Sequence, residues 1–148
     1  MPFLSSLNIV GSALTAHRKR VDVITQNLAN MSTTATERGG PYVRQQVILK
    51  EQPLSFRNVL NQERFSSQRN QDKGGVIVEQ IVESNEPFIP VYNPSHPDAN
   101  EEGYVLMPNV NRTEEQIDLM AASRAYEANL TALNIMKSMA MKAMEIGK

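Results

Sequence analysis

The two ends of the chain carry apolar residues at helical spacing, and these repeats constrain the fold more than any other feature. At the N-terminus the steps alternate between three and four residues from residue 3 to residue 31, and His17 is the only polar member of the series. The series is a heptad seam of about four repeats, typical of a helix roughly 40 Å long that packs along another helix. It consists of Phe3, Leu7, Val10, Leu14, Val21, Ile24, Leu28 and Met31.

A second apolar series predicts a helix over residues 112–146, near 50 Å long at about 1.5 Å per residue. Thr113 and Gln116 match a capping box at its start. Its last third, "MKSMAMKAMEI", is apolar on more than one face, which indicates several packing neighbours. The series consists of Leu119, Ala122, Tyr126, Leu130, Leu133, Met136, Ala140 and Met144.

The middle of the chain, residues 32–111, has β-type patterning interrupted by breakers. We predict strands within 42–51, 75–83 and 87–92 because these runs are rich in Val, Ile and Tyr. The polar stretch 52–73 predicts an extended or mobile loop. Two prolines in "NPSHPDANEEGY" exclude a continuous helix and favour turns, with Asp98 or Asn100 bonding local backbone.

These three parts predict a mainly α fold with a small β-rich middle. Long N- and C-terminal helices pair as a coiled-coil-like bundle, and the β/loop domain is inserted between them. The domains are residues 1–31, 32–111 and 112–148. A middle this small cannot cover two long helices, so their remaining apolar faces call for other copies or partners.

Composition excludes several function classes. Fifteen basic residues against sixteen acidic ones give no electrostatic case for nucleic acid or an anionic membrane. The chain has no cysteine, which excludes disulfides and thiolate metal sites. The longest apolar stretches fall short of the roughly 20 residues of a membrane span. The basic cluster follows the first apolar residues instead of preceding them, so we expect a soluble protein that does not use the general export route with a cleaved signal peptide.

Both end segments resemble the signatures of a known family. "SALTAHRKRVDVITQNLANMSTTAT" at 12–36 is similar to the N-terminal signature of bacterial flagellar axial proteins, the rod, hook and hook-associated group. "ASRAYEANLTALNIMKSMAMKAMEIGK" at 122–148 resembles the matching C-terminal signature. "GGPYVRQQV" and "YNPSHPDANEEGYVLMPNVN" in the middle narrow the resemblance to rod proteins, over nearly the whole chain.

The resemblance implies a structural subunit of the flagellar basal-body rod, the hollow drive shaft used for motility. Such a subunit passes unfolded through the flagellar type III export apparatus and assembles in the periplasm. It packs helically with copies of itself and with other rod proteins, and its terminal helices form the inner bundle. Neither an enzyme activity nor a cofactor, metal or small-molecule substrate is expected.

We expect the assembly interface to combine the apolar seams with a polar motif. Arg124 and Glu127 would form an ion pair at i and i+3, Tyr126 would anchor the contact, and Asn27, Asn30 and Asn129 would set register by hydrogen bonding. The predicted interface residues are Leu7, Val10, Leu14, Val21, Ile24, Asn27, Leu28, Asn30, Arg124, Tyr126, Glu127, Asn129, Leu130, Leu133, Met136 and Met144.

The alternative hypothesis is a free-standing helical-hairpin adaptor or co-chaperone. His96-Pro97-Asp98 is the tripeptide by which J-domain co-chaperones act, but here no helix pattern adjoins it. His17 and His96 lack metal-ligand spacing. Glu114 and Glu115 are best interpreted as solvated acids near the positive end of a helix dipole, because no nucleophile accompanies them.

Overall fold

The first and last helices run through the two terminal segments of the computed structural model, which describes residues 2–52 and 74–146. The predicted mainly α architecture with a β middle is confirmed, while the loop prediction for 52–73 falls, except for residue 52, outside the described residues. In chain order the elements are α1 (Pro2–Ala29), β1 (Gln45–Glu51), β2 (Val76–Glu83), β3 (Ile89–Tyr92), β4 (Tyr104–Met107) and α2 (Arg112–Ile146).

The two terminal helices pack against each other in antiparallel orientation. In the C-terminal half of α1, Arg20 Nη2 lies 3.5 Å from Oδ1 of Asp118, which is in the second turn of α2. At the opposite end, Leu7 of α1 and Leu133 of α2 line the same groove. With 28 and 35 residues the helices are about 42 and 52 Å long. The coiled-coil geometry of the pair stays a prediction.

The β middle consists of two separate two-stranded antiparallel sheets, β1–β2 and β3–β4. The first sheet packs on α1, and its register shifts between Ile48 and Leu49. Contact is closest where β2 begins, since the Ser12 hydroxyl accepts a hydrogen bond from the Val76 N–H at 3.0 Å. A Cβ added at Gly75 would collide with the Ser12 side chain, so only glycine allows this approach.

Side-chain amides end one helix and begin the other. The Gln26 carbonyl in the last turn of α1 accepts two hydrogen bonds from Asn30, one from Nδ2 at 2.9 Å and one from the backbone N–H at 3.1 Å. Asn111 caps α2, because its Oδ1 accepts the Thr113 N–H at 3.0 Å. The capping box predicted at Thr113 and Gln116 is therefore wrong by two residues. The reason is that asparagine accepts the free N–H groups of a first helical turn as well as threonine does.

Few apolar side chains are fully buried in the described part of the chain. They lie where the end of α1, the start of α2 and the β middle meet, and they are Ala16, Val23, Ile24, Tyr42, Val105, Val110 and Ala122. By contrast, residues 134–145 of α2 are exposed or at most half-buried. The single chain thus has a small core at one end and an uncovered helix pair at the other. Over residues 2–52 and 74–146, no helix is long and apolar enough to cross a membrane.

Candidate functional site

A buried asparagine connects α1 to the β middle and to α2. Asn27 is 1% exposed. Its Oδ1 accepts hydrogen bonds from the Tyr42 hydroxyl (2.9 Å) and the Gln45 N–H (3.0 Å). Its Nδ2 donates to the Gln45 carbonyl (2.8 Å) and to Glu115 Oε2 (3.0 Å). The amide therefore pairs with the backbone of Gln45 as a neighbouring strand would, and its hydrogen-bonding capacity is filled.

A carboxylate buried in the first turn of α2 completes this contact. Glu115 is 1% exposed, and its Oε1 accepts a hydrogen bond from Arg44 Nε at 2.6 Å. The prediction that Glu115 is solvated is wrong, because its helix position points toward α1, while Glu114 is exposed as predicted. The positive end of α2 and the Arg44 guanidinium both place positive charge beside this carboxylate.

Arg44 and Asn109 extend the network to the segment before α2. The Arg44 N–H donates to Asn109 Oδ1 at 2.9 Å, and Asn109 Nδ2 donates to the Glu86 carbonyl at 2.9 Å. We call Asn27, Tyr42, Arg44, Asn109 and Glu115 the junction network. It joins both terminal helices to the β middle through side chains 15 to 88 residues apart in sequence.

The charge of Glu115 and the burial of the site change the pKa of two neighbours. Burial raises the pKa of the Tyr42 hydroxyl above its usual 10.0, and the negative charges of Glu115 and Glu83 raise it further. Burial alone would lower the pKa of Arg44, but the hydrogen bond and charge of Glu115 outweigh it, so that this pKa is raised. The network therefore holds a charged arginine and a neutral tyrosine at neutral pH.

This arrangement is built to hold segments together. In the described ranges, no cluster of three or more His, Asp or Glu side chains is placed to hold a metal ion. Each side chain of the junction network has a hydrogen-bond partner within the chain. The geometry is that of a structural joint.

Comparison with known proteins identifies the family. A family model described as "Flagella basal body rod protein" matches residues 7–35, and one described as "Flagellar basal body rod FlgEFG protein C-terminal" matches residues 101–146. The chain is 46% identical to the flagellar basal-body rod protein FlgC of Bacillus subtilis, with both chains fully covered. It is 40% identical to the FlgC of Borreliella burgdorferi (99% and 98% covered) and 37% identical to that of Salmonella typhimurium (both fully covered). The chain belongs to the FlgC family of flagellar basal-body rod proteins.

In this FlgC-family chain the interface residues predicted on α1 divide into two groups. Ile24 and Asn27 are buried within the chain itself, which leaves them almost no surface for a neighbouring subunit. The hydrogen bonds of Asn27 in the single chain are all internal, and a role in setting register between subunits stays a prediction. Asn30 is half-buried and caps α1. The remaining members are half-buried: Leu7, Val10, Leu14, Val21 and Leu28.

On α2 the predicted residues lie on two sides of the helix. Tyr126, Asn129, Leu133 and Met136 are half-buried, whereas Arg124, Glu127, Leu130 and Met144 are exposed. No ion pair joins Arg124 to Glu127 in the single chain, although both are described residues, so a pair of these side chains within the assembly stays a prediction. Exposed pairs gain little over hydration, and nothing in the chain holds these two side chains together.

The junction network was not predicted from the sequence. Tyr42 and Arg44 lie within "GGPYVRQQV" and Asn109 within "YNPSHPDANEEGYVLMPNVN", two segments that carry the family resemblance. Arg44 follows the apolar residues Tyr42 and Val43, but polar residues alternate with apolar ones in ordinary half-buried strands as well, so this arginine gave no distinct signal. Its partners could not be inferred from spacing.

Replacing Tyr42 by Phe should weaken the fold by about 1 kcal/mol at neutral pH, because one buried hydrogen bond is lost. A raised folded pKa means that the tyrosine's contribution is fully present below pH 10 and is lost as the pH rises through the folded pKa. Urea unfolding at pH 8 and pH 10.5 should therefore show a smaller loss of stability in Tyr42→Phe than in the parent chain. Tyr104→Phe, which changes an exposed ring, is the matched control. Equal losses in the parent and Tyr42→Phe chains would contradict the assignment.

Proposed function

We propose that this chain is a structural subunit of the bacterial flagellar basal-body rod, without enzyme activity, which assembles helically with copies of itself and other rod proteins. The observation that carries the proposal is the mismatch between a small core and two long helices in a chain of the FlgC family. Apolar side chains stay exposed along α2, among them Ile117, Met120, Ile135, Met139 and Met144. Covering them in an assembly would contribute about 25 cal/mol per Å² of apolar surface.

In the proposed assembly, each half of the chain has a different task. The junction network fixes the β middle on the end of the helix pair, so that the chain presents one defined shape to its neighbours. The open half of the helix pair, with residues 5–14 of α1 and 130–145 of α2, makes the contacts between subunits. A heterologous contact of this kind, repeated by a rotation and a rise, builds a tube that does not close into a dimer.

We further propose that the chain reaches this assembly through the flagellar type III export apparatus, without a cleaved signal peptide, and that it is incorporated in the periplasm. The family membership and the resemblance of the first 36 residues to the axial signature support this route. A chain whose helix pair is only partly buried before assembly also fits export in an unfolded state, since little structure has to be undone.

Hydrogen exchange on the purified monomer, resolved along the chain, tests the proposal. We expect slow exchange at residues 16–27 and 115–122, which surround the junction network, and fast exchange at 5–12 and 131–145, because local opening is easiest where little is buried. Strong protection along the full length of both helices in a dilute monomer would contradict it and favour a free-standing hairpin adaptor.

The contacts of the His96-Pro97-Asp98 tripeptide do not favour the co-chaperone alternative. His96 Nδ1 accepts the Asp98 N–H at 3.2 Å, and Asp98 Oδ2 accepts the Thr34 hydroxyl at 2.7 Å. Both side chains therefore shape a turn and attach it to the loop after α1. Asn100 Oδ1 accepts the N–H groups of Glu102 and Tyr104, as predicted for a turn residue.

A further inference from the structure

The β3–β4 hairpin presents an apolar face that nothing in the described part of the chain covers. Cross-strand pairing places Tyr92 opposite Tyr104 and Pro90 opposite Leu106, so these four side chains share one face. We call this the outer face of the hairpin. Tyr92 is 65% exposed and Leu106 is 50% exposed, whereas Val105, which points to the other face, is buried.

The outer face is held in a fixed arrangement. The rings of Tyr92 and Tyr104 meet edge to face with centroids 5.3 Å apart. Gly103 adopts φ +82°, and an added Cβ there would lie 3.0 Å from the Tyr92 ring, so the turn is shaped for this aromatic pair. Rigid, exposed aromatic side chains of this kind are typical anchors of protein–protein contacts.

The charges beside the outer face indicate the chemistry of its partner. Glu101 and Glu102 are exposed in the turn next to it, and neither forms an ion pair within the described ranges. An acidic edge beside an aromatic and aliphatic face fits an apolar surface that has a cation at its edge.

The chain carries a surface of this chemistry at its other end. The open groove between α1 and α2 has a volume of about 880 Å³ and is lined mainly by apolar atoms, from residues such as Leu7, Leu133 and Met144. Lys137 also lines it, and no ion pair engages this lysine in the described structure. Leu133 and Met144 follow the start of α2 by 21 and 32 residues, which is about 32 and 48 Å along the helix. The hairpin lies beside that start, so hairpin and groove cannot meet within one chain.

We propose that the outer face of the hairpin docks into the terminal-helix groove of a neighbouring rod subunit, an apolar groove with a lysine at its edge like the one in this chain. The inference rests on the proposed function and adds a contact to it. The neighbour is taken to be a second copy of this chain, because the groove with this chemistry is the chain's own. The contact joins unlike ends of two subunits, so it propagates along the assembly.

The test places a photo-crosslinking phenylalanine analogue at position 106 in cells whose rods are built with this chain. Irradiation of motile cells, followed by mass spectrometry of purified basal bodies, should give adducts on the last third of a C-terminal helix. The adduct peptide also tells whether the neighbour is a second copy or another rod protein. Glu101→Lys with Glu102→Lys should reduce the adduct yield at least about tenfold through like-charge contact with the groove lysine. Glu51→Lys, an exposed change on the other sheet, should leave it unaltered.

Adducts on β segments, or no adduct in cells that still swim, would overturn the docking contact and leave the rod assignment intact. An unchanged yield in the double lysine variant would also overturn it. If the probe at position 106 prevents rod formation, the same probe at Tyr104 replaces it, because both side chains lie on the outer face. Normal rods in cells that lack this chain altogether would count against the rod assignment instead.

Discussion

Glu115→Ala should lower the unfolding free energy of the chain by about 3–5 kcal/mol, because it leaves a buried guanidinium without its carboxylate. Asp118 Oδ2, 3.8 Å from Arg44 Nη2, would be the one remaining ion-pair partner of Arg44 among the described residues. The amide nitrogen of Asn27 would also lose an acceptor at a site that is 1% exposed. The total stability of a domain is about 5–15 kcal/mol, so a loss of this size removes a large part of it.

Urea unfolding of the purified chain, monitored by far-ultraviolet circular dichroism, measures this effect. Glu114→Ala is the matched control, since it removes the same side chain from the same helical turn at an exposed position. We expect it to change stability by no more than about 0.5 kcal/mol. Similar midpoints for the two variants would show that the junction network does not stabilise the fold.

Hydrogen exchange distinguishes a local effect from general loosening. In Glu115→Ala, amides of residues 45–51 should exchange faster, because β1 is attached to α1 through Asn27 and Gln45. Residues 104–107 should change less, since β4 pairs with β3 and has no hydrogen bond to Glu115. Uniform acceleration along the chain would mean that Glu115 supports global stability without a specific role at the joint.

The helices could be predicted from the sequence because their signal is periodic and local. Steps of three and four residues over 30 positions favour a helix whatever lies elsewhere in the chain. The boundaries of both helices were predicted within a few residues. The strand at 76–83 was predicted from its dense Val and Ile content. The strand β4 was missed because "YVLM" is only four residues long and follows a segment dominated by turn residues.

The junction network could not be predicted because its partners are distant in sequence. Arg44 and Glu115 are 71 residues apart, and Asn27 and Glu115 are 88 apart. The helix dipole and hydration by solvent already explain a glutamate in the first turn of a helix, so no distant partner is needed to account for it. Only the packing of α2 on α1 distinguishes Glu115 from Glu114. The same holds for Asn27. Its amide in an apolar seam predicted hydrogen bonds that set the register between chains, whereas in the single chain it bonds to the backbone of Gln45.

Leu130→Asp should abolish swimming while leaving the isolated chain folded. Leu130 is 40% exposed in the single chain, so a carboxylate there can remain hydrated before assembly. In the proposed rod the same position is covered by a neighbouring subunit, and burying an unpaired carboxylate would cost several kcal/mol, on the order of the stability of the contact itself. Tyr126→Asp and Leu133→Asp should also stop motility, but both side chains are half-buried, so those variants would perturb folding as well.

Four measurements separate the possible causes of a non-motile phenotype. Circular dichroism and hydrogen exchange of purified Leu130→Asp should match the parent chain, and the exported amount should be unchanged in cells. Electron microscopy of basal bodies should then show rods that stop short or are missing. Gln116→Asp introduces the same charge at an exposed site near the start of α2, where the helix dipole favours it, and cells with this variant should swim normally. Normal rods in Leu130→Asp would mean that this side of α2 stays exposed in the assembled shaft, and that the contacts between subunits are made by the groove side of the helix pair.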